Sequence, residues 1–564
     1  MLMINEKKLS FIQYYVVLGV FLSSLIVTPD FSMDPINLPK MFFLSILSIS
    51  SFSYFIISRR ILFARNYRLI LILSLLFIIQ LTLSLLFSGS PFNQQFYGTF
   101  GRNTGYITYL SLTLLLLVVV FIVNINFTKI FANWMFAAGV ISAVYGAMQT
   151  FGADPVPWKN KYNSMIAFFG NPNFSSAFLG MVAAGSFAFL FFPNSEIKQK
   201  FRYYVMAYLL VSLTLIVRSN SVQGLVVYFL GALISFGLYI FKNNRINSLI
   251  RASYVFFSFL VLILGTLGSL KIGPLSNFLY QDSVRQRGFY WQAARRMIEN
   301  HPFFGVGLDS FGDWYYQYRS ANAEYYSPTT ATNSAHSVLL DIGSTGGLPL
   351  LALHLVISIY IAICAFKLIK NTKKTQTSTV FIIIAWLAYQ AQSLISINQI
   401  GIGIWGWVLG GAIIGLKVSI PQSTETENSA TKKNINQNKR IKDRPTFLLP
   451  ISVGAVIALI LVIPPFMADH NYSTAANSRD GNKVFNAAKS KPVDLYRIAD
   501  ATNGFSASNL TEPAIKLAKF GIEQNPRYYT FWAFLKQLSA PDSADRKLAI
   551  EKMKELNPQS SDIK

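Results

Sequence analysis

The chain is poor in the residues on which much enzyme chemistry depends. It has one cysteine, Cys364, in 564 residues. A single thiol can neither close a disulfide nor build a thiolate metal cluster within one chain, so both are excluded. Histidine is nearly as scarce, at four. There is no Asp-x-Asp pair and no His/Asp cluster with ligand spacing, so no metal and no other cofactor is expected. Asp30 and Asp34, in "DFSMDP", read as turn residues. Charge is scarce as well. Charged residues make up 13% of the chain and hydrophobic ones 52%, with a mean hydropathy of +0.40. A soluble domain is nearer a quarter charged, so that class is excluded.

What is abundant is apolar sequence in runs long enough to cross a bilayer, about 20 residues each as helices. Thirteen candidate spans occupy about 11–28, 40–58, 68–88, 105–123, 132–150, 174–192, 203–217, 221–241, 252–270, 346–366, 379–396, 399–416 and 446–466. The first is read as a retained helix, because no small-x-small cleavage site follows and further spans come at once. The expected fold class is all-α, a polytopic membrane bundle of about 13 transmembrane helices.

Acidic residues number 25 against 49 lysines and arginines, a net charge of +24. This excess does not imply nucleic acid, because it sits in short loops between spans. With the N-terminus inside, the inward segments 1–10, 59–68, 124–131, 193–202, 242–251, 366–374 and 417–445 carry 2, 4, 1, 3, 3, 4 and 7 Lys+Arg, 24 in all. The short outward loops 29–40, 89–104, 151–173, 218–220 and 397–398 carry 1, 1, 2, 1 and 0, 5 in all. Basic residues resist translocation. The N-terminus is therefore expected in the cytoplasm, and the odd span count puts the C-terminus outside.

Residues 1–420 read as one membrane domain that includes a long outward loop, 271–345. A loop of that length without structure of its own is uncommon unless functional. Segment 421–445 is polar and reads as a disordered cytoplasmic linker, 446–466 as the last span, and 467–564 as an outward tail. In the tail, "EPAIKLAKFGIEQNP", "YYTFWAFLKQL" and "SADRKLAIEKMKELNP" repeat apolar residues at helical spacing. They resemble one or two tetratricopeptide-type helix pairs. One such pair cannot bury its own face, so the tail is expected to pack on the membrane domain or on a partner protein.

The long loop holds most of the chemistry. In "SVRQRGFYWQAARRMIEN", Phe289, Ala293 and Met297 and also Tyr290, Ala294 and Ile298 fall four apart, making one apolar helical stripe. Arg287, Trp291 and Arg295 fall four apart on another face. Arg285, Arg287, Arg295 and Arg296 suit bidentate phosphate binding at headgroup level. They are equally able to meet lipid headgroups or to pair with Asp282 and Glu299. Pro302 stops the helix, and glycines follow at 305, 307 and 312. The aromatics of "WYYQYRSANAEYY" are either interfacial anchors or platforms for sugar rings. His336, in "TNSAHSVLLDIGSTGGLPLLAL", enters an apolar helix, where a neutral imidazole either accepts a proton or makes a structural hydrogen bond. His301, His354 and His470 read as structural. "FYGTFGRNTG" (96–105), "GNPNFSSAFLG" (170–180) and "RSNSVQG" (218–224) all face outward, either as ordinary turns or as a cluster with the long loop.

In this order the pieces resemble the O-antigen ligase and polymerase superfamily of bacterial membrane glycosyltransferases. Four stretches carry the resemblance: "GNPNF" entering a span, "SVQG" between two spans, "RGFYWQAARRMIENHPFFGVGLDSF", and "SAHSVLLDIGSTGGLPL". It covers about residues 10–420. It implies a GT-C-like helical bundle and transfer of an oligosaccharide from an undecaprenyl diphosphate carrier to a lipid, wall-polymer or protein acceptor, outside the cytoplasmic membrane. The alternative within the superfamily is a polymerase extending the glycan on its own carrier. A lipid-linked glycan transporter and a membrane scaffold are the rival classes.

Carried over position by position, His336 matches the histidine assigned as base, and Arg287 the arginine four before the tryptophan, which binds the diphosphate. Gln223 stands where the family presents a second arginine, and Arg218 lies five residues earlier. Ser337 and Ser344 replace the usual asparagine and acid. The resemblance thus implies His336 and Arg287 as catalytic. Arg218, Gln223, Arg285, Trp291, Arg295, Asn171 and Asn173 are the candidate substrate contacts, in a metal-independent inverting transfer beside membrane lipid.

Overall fold

The computed structural model describes residues 6–57, 65–192 without 159, 161 and 163, 198–371 without 329, 376–419 and 448–560. The expected linker 421–445 lies outside the described residues, as do parts of the inward segments 1–10, 59–68, 193–202, 366–374 and 417–445. All regular structure among the described residues is helical.

Among the described residues, ten helices are long and apolar enough to cross a membrane. Two shorter apolar helices, Ser10–Leu25 and Tyr106–Ile122, and the helix Thr377–Leu394 fall on the other three expected spans. Helices Ile400–Ser419 and Tyr106–Ile122 are the most deeply enclosed, while Ser248–Ser269 lies with its apolar side chains outward. Neighbours approach closely through small residues, as in other membrane bundles. A Cβ on Gly224 would lie 2.5 Å from Cβ of Ser176, and one on Gly180 would lie 2.9 Å from the Gly224 carbonyl.

Three boundaries differ from expectation for local reasons. Segment 124–131 is not a loop. Asn124 caps a helix, Ile125–Thr150, by accepting from Phe127 N at 2.8 Å, which explains why this inward segment carries little charge. The expected span at 346 belongs to a longer helix, Val338–Asn371, that kinks at Gly347, whose φ of +86° only glycine adopts freely. The last span runs on without a break at 466, as the helix Leu448–Ser478. Pro464 and Pro465 lie within it.

Five short helices follow: Gly481–Ala488, Leu495–Ala507, Thr511–Gln524, Tyr529–Leu538 and Ala544–Leu556. The last three fall on the stretches chosen for their periodicity. The apolar faces of the last four bury Ile498, Leu517 and Phe531 in one core and Trp532, Leu535 and Met553 in a second. This tail rests on the same end of the bundle as the long loop. Asn525 Nδ2 donates to Asp313 Oδ2 at 2.9 Å and Gln94 Oε1 at 3.2 Å, and His470 Nδ1 meets the Phe31 carbonyl at 2.7 Å.

Candidate functional site

Backbone hydrogen bonds between two glycine-rich stretches form the floor of the site. Val306 N donates to Ser344 O at 2.8 Å, Gly307 N to Thr345 O at 3.1 Å, and Leu348 N to Pro302 O at 2.7 Å. The turn after Pro302 therefore docks into the kink at Gly347. Gly305, at φ +65°, sits where any Cβ would strike the Thr345 backbone. Side chains from the helix Arg68–Phe87 close the same kink: Gln80 Nε2 donates to Phe303 O at 2.7 Å and Ser84 Oγ to Gly346 O at 2.9 Å.

His336 stands just ahead of the kinked helix in a left-handed conformation, φ +54°. Asp341, one turn into that helix, holds the strand of chain leading to it. Its carboxylate accepts from Ala335 N at 2.6 Å and from Ser334 Oγ at 2.7 Å, and Ser334 Oγ accepts from His336 N at 2.9 Å. The imidazole lies 5.5 Å, centre to centre, from the Tyr290 ring. Burial, then the charges of Arg102 and Arg287, push its pKa down to about 3. The ring is thus neutral at physiological pH, with a free lone pair on one nitrogen.

Arg287 reaches this pocket from the helix Asp282–Asn300, which buries Phe289, Tyr290, Ala293, Ala294 and Met297 as the periodicity requires. The row Arg287–Trp291–Arg295 runs from the edge of the buried stripe towards the exposed side of the helix. Four residues advance a helix by about 400°, so each step rotates the row about 40°. Arg287 stays at the edge of the buried stripe, Trp291 is exposed, and Arg295 faces fully outward. Arg295 Nε pairs with Glu299 at 3.2 Å, and Arg285 Nη2 with Asp282 at 2.8 Å. Trp291, Arg295, Arg296, Gln292 and Gly288 line only an open groove of about 550 Å³ along this one helix. Arg287 has no acidic partner among the described residues. Burial lowers the pKa of its guanidinium, which costs a cation its solvation.

The second cation at His336 is Arg102, which the sequence reading did not single out. It sits in the turn 98–105. Asp309 holds that turn from the glycine-rich loop, accepting from Thr99 N at 2.8 Å and Thr104 N at 3.2 Å. Arg102 Nε and Nη2 both donate to Asn333 Oδ1, at 2.9 and 2.6 Å, and Nη1 is buried without a hydrogen-bond partner among the described residues. One signal was available: Arg102 is the only basic residue in the outward loop 89–104. Asn103, Asp309 and His336 all have φ near +54°. Such left-handed residues are uncommon and cluster at functional sites, held by their surroundings.

The remaining candidates occupy structural positions. Asn171 caps the helix Pro172–Phe191 by accepting from Asn173 N at 2.8 Å, and donates to Tyr162 OH at 2.9 Å. Asn173 Oδ1 accepts from Ser221 Oγ at 2.9 Å, and Ser221 caps the helix Val222–Lys242. "GNPNF" and "SVQG" therefore tie two helix starts together. Gln223 is buried and donates to Gln392 Oε1 at 2.9 Å. Arg218 is exposed in the last turn of the helix Gln199–Arg218, where a cation complements the carbonyl end. The aromatic stretch has a use the sequence did not suggest. Trp314 lies 3.3 Å beneath the Arg527 guanidinium and Tyr316 lies 4.7 Å from the Tyr529 ring, so both face the tail.

Residues 172–355 match the O-antigen ligase family. The matched segment contains Arg287, His336 and the kink. Arg102 and the tail fall outside it. No curated protein sequence matches the chain.

Proposed function

From a multi-pass membrane protein that carries an O-antigen ligase domain over residues 172–355, we propose a glycosyltransferase that moves an oligosaccharide from an undecaprenyl diphosphate carrier to an acceptor hydroxyl on the outer side of the cytoplasmic membrane. The observation that carries this reading is the pairing of a neutral imidazole, His336, with two guanidinium groups, Arg102 and Arg287, whose charges act on it. Arg287 has no acidic partner among the described residues, and Arg102 feels the charges of Asp341 and Asp309 without a direct ion pair to either among them. The low Lys+Arg content of the short outward loops supports the outward placement.

In this mechanism the acceptor oxygen attacks the anomeric carbon and inverts it, while His336 takes the hydroxyl proton. The bond from that carbon to the diphosphate oxygen breaks. The diphosphate leaves with the electron pair, and Arg102 and Arg287 stabilise its charge. Guanidinium groups suit a diphosphate because their planar forks donate in pairs. The same anion acts on the base. With the donor absent, both cations depress the basicity of His336. A bound diphosphate offsets them, so the imidazole becomes a competent base only when the donor is in place.

The test is incubation of the purified protein with an undecaprenyl diphosphate-linked glycan and lipid, wall-polymer and protein acceptors. The expected outcome is acceptor-linked glycan with stoichiometric release of undecaprenyl diphosphate. A glycan that lengthens on its own carrier would instead make the protein a polymerase. No release of carrier under any of these conditions would remove the reading.

A further inference from the structure

The turn that carries Arg102 is built on residues that leave its backbone free, so its shape depends on outside contacts. Gly98 and Gly101 have φ of +87° and +73°, and Asn103 has +53°. Glycines at these angles are unstrained but lose much conformational freedom on ordering, so contacts from outside the turn are what hold it in one shape. Two of its ties come from the membrane domain: the Asp309 carboxylate on Thr99 N and Thr104 N, and Asn37 Nδ2 on the Gly101 carbonyl at 2.6 Å. The third comes from the tail. Phe100, two residues before Arg102, stacks on Tyr496 of the helix Leu495–Ala507, with centroids 3.7 Å apart and planes 6° from parallel. The tail is in turn anchored to the helix Phe311–Tyr318, which follows Asp309, by Asn525 on Asp313 and by Arg527 over Trp314. The tail therefore grips both segments that orient Arg102.

We propose that the C-terminal helical module is a working part of the site, and that Tyr496 is a positioning residue that fixes Arg102 through the Phe100 stack. The inference rests on the reading of Arg102 as a diphosphate ligand. Tyr496 suits a clean test because its side chain is 36% exposed. The core beneath its helix is built from Ile498, Ala501 and Phe505 instead, so removing the ring leaves the module folded.

The experiment measures binding of undecaprenyl diphosphate in detergent micelles to the full-length protein and to Arg102→Ala, Tyr496→Ala and Tyr496→Phe, with a thermal melt of each. Loss of an aromatic stack of this kind should weaken binding by about 3- to 10-fold. The expected pattern is a weakened Tyr496→Ala protein, a Tyr496→Phe protein within about twofold of the parent, and unchanged melting for both. Tyr496→Ala binding like the parent while Arg102→Ala loses affinity overturns the positioning role and spares the site. So does Tyr496→Phe failing to restore binding, or Tyr496→Ala weakening it only with a lowered melt. Arg102→Ala binding like the parent overturns both.

Discussion

Arg102 uses two of its three guanidinium nitrogens on one acceptor, Asn333 Oδ1, at 2.9 and 2.6 Å, and keeps the third buried and unpaired among the described residues. A buried donor without an acceptor is costly, by about 1–3 kcal/mol. Its partner Asn333 lies three residues before His336, so on the proposed reading the departing diphosphate is the acceptor that completes this donor. Arg102→Ala should lower kcat/KM by about 10²–10³-fold, the usual cost of one preorganised charge stabiliser. Arg102→Lys should recover little, because an ammonium cannot hold Asn333 and present a second donor in the same plane. Steady-state kinetics on protein expressed at parental levels decides this, and near-normal turnover in Arg102→Ala would exclude the role.

His336→Ala should lose about 10²–10⁴-fold in kcat, the range of a positioned base. The pH dependence is more discriminating. An ordinary imidazole protonates near 6.5, whereas His336 resists protonation down to about 3 because burial and two cations oppose its charge. In the free enzyme, kcat/KM should therefore show no acid limb from this group between about pH 7.5 and 5. Removing one cation relieves the depression, so the limb should move up in Arg102→Gln. With diphosphate bound, the limb of kcat should lie above that of kcat/KM. The sign for stability follows from proton counts. Between pH 6.5 and 3 the unfolded histidine binds the proton that the folded one refuses, so this group's contribution is lost as pH falls through that window.

Much of this was legible in one dimension. Every expected span falls on a helix, and the buried stripe of 283–300 follows its 3.6 period, because apolar periodicity is a local property. The row Arg287–Trp291–Arg295 grades from a half-buried to an exposed position, and spacing by four alone does not show that Arg295 meets Glu299 while Arg287 lies against the buried stripe. Arg102 was missed for a different reason. Its relation to His336 runs through Asn333, in a segment far along the chain, and only the folded backbone brings the two together. The aromatics at 314 and 316 were likewise illegible, since their partners, Arg527 and Tyr529, lie in the tail.

The contrast among the arginines of one helix is itself a test. Arg285 and Arg295 form exposed or half-exposed ion pairs with Asp282 and Glu299. Such pairs contribute roughly 0–1 kcal/mol to stability. Arg285→Ala and Arg295→Ala should each change kcat/KM by less than about threefold, whereas Arg287→Ala should cost about 10²–10³-fold. A loss in Arg295→Ala as large as that in Arg287→Ala would move the diphosphate site to the outer face of the helix.

The junction between loop and tail makes its own demand. Arg319 is 1% exposed, forms an ion pair with Glu324, donates from Nη1 to the Pro328 carbonyl at 3.0 Å and from Nη2 to Asn557 Oδ1 at 3.2 Å. Its guanidinium lies 4.7 Å from the Tyr316 ring. Removing one member of a buried pair leaves the other charge without compensation, at a cost of about 3–5 kcal/mol, whereas replacing both by apolar groups costs much less. Arg319→Ala should therefore lower the melting temperature sharply, and limited proteolysis should cut the end of the tail, which loses its hold at Asn557, faster than in the parent. The double variant Arg319→Leu with Glu324→Leu should recover most of the melting temperature but not the contact with Asn557. A melt of the double variant as low as that of the single one would show that the guanidinium acts here through its bonds to Pro328 and Asn557, and not through its charge.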